Sequence, residues 1–418
     1  MRNLLPKSAY ARNVLTLMTG TSLAQAIPIA VSPILTRLYS PEEFGLFALY
    51  IAVVSIAAVL VTGRYEQAIL LPRKERDALH IAALVILLSA VVSVFLLLMV
   101  LLFKQHIADL LGNPKLAPLL YWVPISTCLM GVYQGMTYWS NRKAQYKRLA
   151  ISRTLQSCSS AVAQLSYSRA GEAGLMAGQV TGQFLATTAL AHMIWREDKG
   201  LIFSLRLPRM KALAKKYINF PKYLIAAHGF NTASGQMPVL LLSTLFNAST
   251  AGFFTLTQRV LGAPISLVAT ALGDVFRQEA SKAYAHQGNC KLIYIKTLKR
   301  LFLISFLPFF IFFFAAPSFF GWVFGEHWRI AGEYAQILVP KFFFDFVAGP
   351  LSGMFMIAEK QRLDLLWQVG LISVAASSIL LGFWLSDVKW ALIAYSAGHC
   401  FMQAINLLMT YGFSINKK

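Results

Sequence analysis

The sequence predicts an all-α polytopic membrane protein with about twelve transmembrane helices. Three observations predict it. Hydrophobic residues make up 57% of the 418-residue chain and charged residues 13%, with a mean hydropathy of +0.58. A soluble domain carries about 25% charged residues, so water is not the main solvent of this chain. The apolar residues gather into twelve runs long enough to cross the hydrocarbon, which takes about 20 residues each. The cations alternate between the gaps. The N-terminal tail, the even-numbered gaps and the C-terminus, margins included, hold 29 of the 38 Lys and Arg. The odd-numbered gaps hold only Arg37, Lys104, Lys115, Arg169, Arg329 and Lys389, and three more (Lys222, Arg259, Lys341) lie inside apolar runs. Such alternation is the positive-inside signature, with both termini in the cytoplasm.

The spans follow in order. The first, about 14–37, is too long for a cleavable signal and lacks a small-residue cleavage site, so it stays as a span. It carries Thr16, Thr19, Thr21, Ser22, Gln25, Ser32 and Thr36, and its Pro28 and Pro33 should bend or hinge it. The second runs over 44–62, the third over 79–103 with the unbroken "LVILLSAVVSVFLLLMVLLF", and the fourth over 117–140. The fifth, 150–168, is the most polar, with Gln156, Gln164 and six serines. It should be shielded by other helices or line a wet cavity. The sixth lies at 172–194, the seventh at 219–245 and the eighth at 250–276. The ninth, 299–325, is rich in Phe, and the last three lie at 333–357, 363–386 and 390–413. Tyr121, Trp122, Trp139, Trp195, Trp322, Trp328 and Trp390 sit at span ends, where interfacial rings are expected.

The gaps exclude several classes. The longest, 195–218 and 277–298, are about 25 residues and strongly basic, too short for a soluble domain of ordinary size. No Walker-type loop is present, so direct ATP use is not expected. The net charge of +21 points to anionic headgroups rather than nucleic acid, because the excess flanks the membrane. Cys128, Cys158, Cys290 and Cys400 have no metal-ligand spacing and read as free thiols. No cofactor or metal is implied.

A faint repeat divides the chain. "FGLFALY" and "GRYEQA" around the second span match "AGFFTLTQR" and "FRQEA" around the eighth, placing Arg64 beside Glu66 and Arg277 beside Glu279. Gly45 and Gly252 are 207 residues apart, close to half the chain. Six spans per half give both lobes one orientation, the plan of a two-lobed transporter. The expected lobes are 1–205 and 206–418.

Polar groups at membrane depth need a partner or water, and each marks a candidate site. The seventh span holds Lys222, His228, Asn231, Thr232, Ser234 and Gln236; the eighth holds Thr255, Thr257, Gln258 and Arg259. A deep Arg offers a planar fork of donors suited to phosphate; the alternative is a structural Arg neutralised by an acid on another helix. Lys341 and Asp345 stand four apart on one helical face, either a fixed ion pair or a site where a coupling ion displaces the lysine. His192, His228 and His399 are isolated and read as satisfied interior residues.

The stretch "TGTSLAQAIPIAVSPILTRLYSPEEFGLFALY", running into "TGRYEQAILLP", resembles the start of Wzx-type O-antigen and capsular polysaccharide flippases. These belong to the multidrug/oligosaccharidyl-lipid/polysaccharide exporter superfamily, and "GFFTLTQRVLGAPISLVATALGDVFRQEA" looks like the segment opening their second lobe. The resemblance implies two six-helix lobes around a cavity open alternately to each side, in the bacterial inner membrane. It implies an undecaprenyl-diphosphate-linked glycan as substrate, coupling to a proton or sodium, and contact with an O-antigen polymerase and a chain-length regulator. On that basis Arg259, Lys222, Arg64 and Arg277 are the expected diphosphate ligands, Gln25, Asn231 and Gln236 the glycan ligands, and Asp345 with Lys341 the ion-coupling pair. A drug or cation exporter of the same superfamily would prefer an acidic cavity. A membrane polymerase or ligase would carry a large periplasmic loop, and neither feature is visible.

Overall fold

The computed structural model describes residues 9–202 and 205–415. Among them there is no strand. The fold is built of α1 (Ala9–Leu38), α2 (Pro41–Val61), α3 (Glu75–Leu110), α4 (Trp122–Arg142), α5 (Tyr146–Ser166), α6 (Glu172–Ile202), α7 (Leu207–Lys216) and α8 (Ile225–Leu245). It continues with α9 (Ala248–Pro264), α10 (Thr270–Gln287), α11 (Lys291–Phe324), α12 (Arg329–Leu351), α13 (Met354–Ile357), α14 (Gln361–Trp384) and α15 (Val388–Ile415). Each predicted span falls on one long helical stretch. The eighth is α9 and α10 joined by the π-turn Ile265–Ala269, and a second π-turn, Phe220–Leu224, opens the seventh. The protein is an all-helical, multi-pass membrane fold. Among the described residues eight helical stretches are long and apolar enough to cross a bilayer by length and composition. The other long helices, α1, α5, α6 and α8, carry polar side chains along their length.

The entry to α2 shows how local sequence sets a boundary. Pro41 stands at the first helical position, and Ser40 and Glu43 form a reciprocal capping box. Together they satisfy backbone N–H groups that have no partner inside the helix. At the other end Gly63 and Arg64 are both left-handed (φ 58° each), which turns the chain into the short helix Tyr65–Leu70.

α1 runs through both of its prolines. The Ser32 hydroxyl donates to the Pro28 carbonyl at 2.6 Å and Thr36 to Pro33 at 3.1 Å, so the side chains serve carbonyls beside the breaks in the ladder. The polar α5 is shielded as expected: it packs between α1 and α6. Glycine makes that packing close. Gly174, Gly178 and Gly182, one every four residues, set a bare stripe of α6 against Tyr167, Gln164 and Ser160 of the α5 side, and Gly20 of α1 meets Ala150. Without the hydrophobic effect to drive helices together in lipid, this close approach of backbones is what holds them.

The contacts divide the chain into two compact units, Met1–Thr244 and Leu245–Lys418. In the first, Trp139, Leu79, Ile81, Val85, Leu190 and Ile194 form a core that α7 caps with Met210 and Leu213. α7 is amphipathic and docks by polar bonds too: Arg209 grips Asp77 with two bonds of 2.9 and 2.8 Å, and the Arg206 N–H donates to His80. This docking ties α7 and the segment after it to the first unit by contact. The 205/206 division rests on sequence equivalence, a separate criterion. In the second unit, Phe302, Phe306 and Phe310 stack along α11 at 5.5–5.7 Å and face outward.

Two of the interfacial rings need correction. Trp322 and Trp390 are exposed, but Trp139 and Trp328 are fully buried. Trp139 donates to Asp198, and Trp328 packs edge-on to Phe253. A tryptophan at a span end is amphipathic, and a buried acceptor attracts its N–H as well as the headgroup layer does.

Candidate functional site

Four cations were expected to meet one anion, and the structure distributes them two to each unit. In the first unit Arg64 is held by its left-handed backbone at the end of α2. Its guanidinium lies 3.3 Å from Glu66, whose side chain is fully buried. Neither Glu66 oxygen receives a hydrogen bond among the described residues, so Arg64 is its neutralising charge. Next to it Gln67 lies 3.4 Å from Nε2 of His228 on α8, joining the short helix Tyr65–Leu70 to the polar α8. Lys222, in the π-turn before α8, is exposed with its ammonium 5.3 Å from the Tyr223 ring centroid. Asn231 is exposed and Gln236 half-buried on α8; Gln25 is exposed on α1.

In the second unit Arg259 is half-buried on α9, six residues before the π-turn at 265–269. Thr255, four residues earlier on the same face, buries a hydroxyl without a hydrogen-bond partner among the described residues. Thr257 is used structurally, donating to the Ala331 carbonyl at 2.8 Å. Arg277 is exposed and pairs with Asp274 rather than with Glu279. Three residues along a helix bring side chains to one face, and two residues do not.

The densest polar assembly in this unit is on α12 and α15. Lys341 donates to Oδ2 of Asp345 at 2.8 Å, confirming that the pair shares a helical face. Oδ1 of the same carboxylate lies 2.7 Å from Nε2 of His399 and receives Nε2 of Gln403 at 2.7 Å. An ionised carboxylate only accepts, so Nε2 of His399 carries the proton in this arrangement. The Lys341 ammonium also lies 4.1 Å from the Phe342 ring centroid. Three donors therefore surround one acid in a nearly dry place. Withdrawing Lys341 would leave Asp345 without its main neutralising charge, a costly state for a buried acid.

His399 is a satisfied interior histidine, as read from sequence, but its partner was not foreseen. The signal was present: Tyr395, His399 and Gln403 recur every four residues on α15, followed by the buried Asn406 and Thr410. Two other groups were missed. Arg153 on α5 donates to Thr21 of α1 at 2.7 Å, and Gln156 to Gln183 of α6, so a polar seam joins three helices. Arg148, also buried, is clamped by Glu197 and Asp198.

Comparison with known proteins extends this picture. The family described as "Polysaccharide biosynthesis protein" matches residues 34–332. The Escherichia coli (strain K12) lipopolysaccharide biosynthesis protein WzxC is 21% identical over 389 residues, 90% of this chain and 75% of WzxC. The lipid II flippase MurJ, in an inward closed conformation, superposes with a TM-score of 0.74 at 12% identity, covering 94% of this chain and 87% of MurJ. An inward-facing multidrug resistance MATE family transporter of the MOP superfamily gives 0.69 at 14% identity, covering 94% of this chain and 93% of that one.

Proposed function

The chain belongs to the polysaccharide biosynthesis protein family, and from that premise we propose that it is a flippase for undecaprenyl-diphosphate-linked oligosaccharide. It is a multi-pass membrane transporter related to WzxC. The finer reading places it in the bacterial inner membrane with both termini in the cytoplasm, working by alternating access. A diphosphate head with several sugars cannot cross hydrocarbon unaided, because charge and hydroxyls left without partners in lipid cost several kcal/mol each. A polar protein path removes that cost while the polyprenyl tail stays in the bilayer.

Arg259, Lys222, Arg64 and Arg277 are assigned to the diphosphate on the strength of the resemblance. Arg64 and Arg277 are already paired, with Glu66 and Asp274. Gln25 and Asn231, both exposed, and Gln236, half-buried, are assigned to the glycan. Asp345 and Lys341 are assigned to coupling by a proton or sodium, with His399 and Gln403 completing the carboxylate's shell. An O-antigen polymerase and a chain-length regulator are its expected partners. Membership of the family carries this reading, since none of these polar groups alone specifies a glycolipid.

Loss of the Arg259 fork tests it. In a deletion strain, Arg259→Ala at normal protein level should abolish surface glycan and accumulate lipid-linked repeat units facing the cytoplasm. Arg259→Lys, which keeps the charge but not the fork, should restore part of it. Normal glycan with both variants would end the diphosphate assignment. The MATE likeness favours one rival, a drug or cation exporter. That rival predicts unchanged surface glycan and altered drug sensitivity in the deletion strain.

A further inference from the structure

We propose that the first unit carries a binding site for an anionic phospholipid on the outward seam of α4 and α6, in the half of the bilayer remote from the basic loops. The proposal rests on the membrane fold and the charge asymmetry, and does not draw on the transport reading. Two cavities follow one another along this seam. One, of about 420 Å³, is bounded by Trp122, Tyr167, Arg169 and the small residues Ala173, Gly174 and Ala177. The other, of about 790 Å³, begins one turn further along α6 with Val180 and Thr181 and reaches Phe184, between α3 and α4. Tyr121 lines the second cavity and its neighbour Trp122 the first. The seam thus leads from a polar, aromatic end to an apolar one. Phe184, Val94 and Ile125 are each about half exposed along it, as chain-facing groups in lipid would be.

The charges at the polar end are what select a headgroup. On the sparsely charged side of the protein, Lys115, Arg329 and Lys389 are paired with Glu42, Glu326 and Glu333. Arg37, Lys104 and Arg169 form no ion pair among the described residues, and of these Lys104 and Arg169 stand at this seam. Lys104 instead donates to the Tyr121 hydroxyl at 2.9 Å, and Arg169 lines the smaller cavity. Arg169 thus shares the cavity of Trp122, and Lys104 is bonded to the ring that lines the other. Arg and Lys are rare on this side, so two unneutralised ones above an apolar cleft match a phosphate above an acyl chain. Ala173 and Ala177 of α6 line the smaller cavity with side chains no larger than a methyl group, beside Gly174, which packs on the Tyr167 backbone.

The test uses the full-length protein in detergent, with native mass spectrometry as readout. Phosphatidylglycerol is compared with phosphatidylcholine of the same chains, with glycerol phosphate, and with a polyprenyl phosphate. The expected result is retention of phosphatidylglycerol over phosphatidylcholine, weakened on the order of 10-fold in the Lys104→Ala/Arg169→Ala double variant. Thr181→Trp, which fills the apolar cleft, should abolish retention while leaving the cations in place. Unfolding temperatures without added lipid report whether the variants are folded. If Thr181→Trp is not, the charge variant alone decides. Equal retention of both phospholipids means annular lipid only, and overturns the site. So does selectivity that survives the double variant, protection by glycerol phosphate without chains, or a preference for the polyprenyl phosphate.

Discussion

Single residues decide whether a charge in this fold is a tool or a liability. Glu66 is fully buried and depends on Arg64, so removing its partner should cost more than removing both. Breaking a buried pair leaves one charge uncompensated, typically a loss of about 3–5 kcal/mol. Arg64→Ala should therefore lower the unfolding temperature in detergent sharply, and Arg64→Ala/Glu66→Gln should recover most of it. Equal losses in single and double variants would show that Glu66 is neutralised otherwise. The Arg-x-Glu spacing was legible in sequence at this site and misleading at the equivalent one. There a nearer acid, Asp274, takes Arg277. Asp345 shows the same limit from the other side. Its lysine was predictable because it is four residues away, whereas His399 lies 54 residues along the chain.

At the scale of elements, close helix contacts and one docked surface helix carry the predictions. Gly182→Ala places a methyl against Ser160 and the Gln156 carbonyl, so α5 and α6 must part, at a cost of about 1–3 kcal/mol. Gly235→Ala, on open space in α8, should instead be neutral or stabilising by about 0.5–1 kcal/mol, through helix propensity alone. Thermal unfolding of the two variants side by side checks the contrast. α7 gives a pH prediction. The Arg209 fork on Asp77 holds that carboxyl below its usual value. A depressed acid contributes above its unfolded pKa and loses the contribution as pH falls through the folded one. Protection of the α7 amides, relative to their intrinsic exchange rate at each pH, should therefore hold from neutral pH down to the ordinary carboxylate range and fall only below it. Arg209→Ala should raise exchange at neutral pH. The glycine spacing of α6 was readable in the sequence, but the helix it faces was not.

At the scale of the whole molecule, the charge pattern predicts sidedness, and labelling can check it. In a background without Cys128, Cys158, Cys290 and Cys400, Lys211→Cys should resist an impermeant maleimide in intact cells. Asn113→Cys should react. The reverse pattern would turn the topology over. The number of crossings, the polar α5 and the need to shelter it were all determined by the sequence itself. Insertion into a bilayer sums transfer energies over about 20 neighbouring residues, and such a sum is local. The tertiary structure alone decided which polar groups meet: His399 and Gln403 with Asp345, Arg153 with Thr21, Trp139 with Asp198. Those pairings depend on how each helix is rotated about its own axis against its neighbours. Hydropathy does not encode that rotation, and only packing and the cost of a buried unpaired group set it.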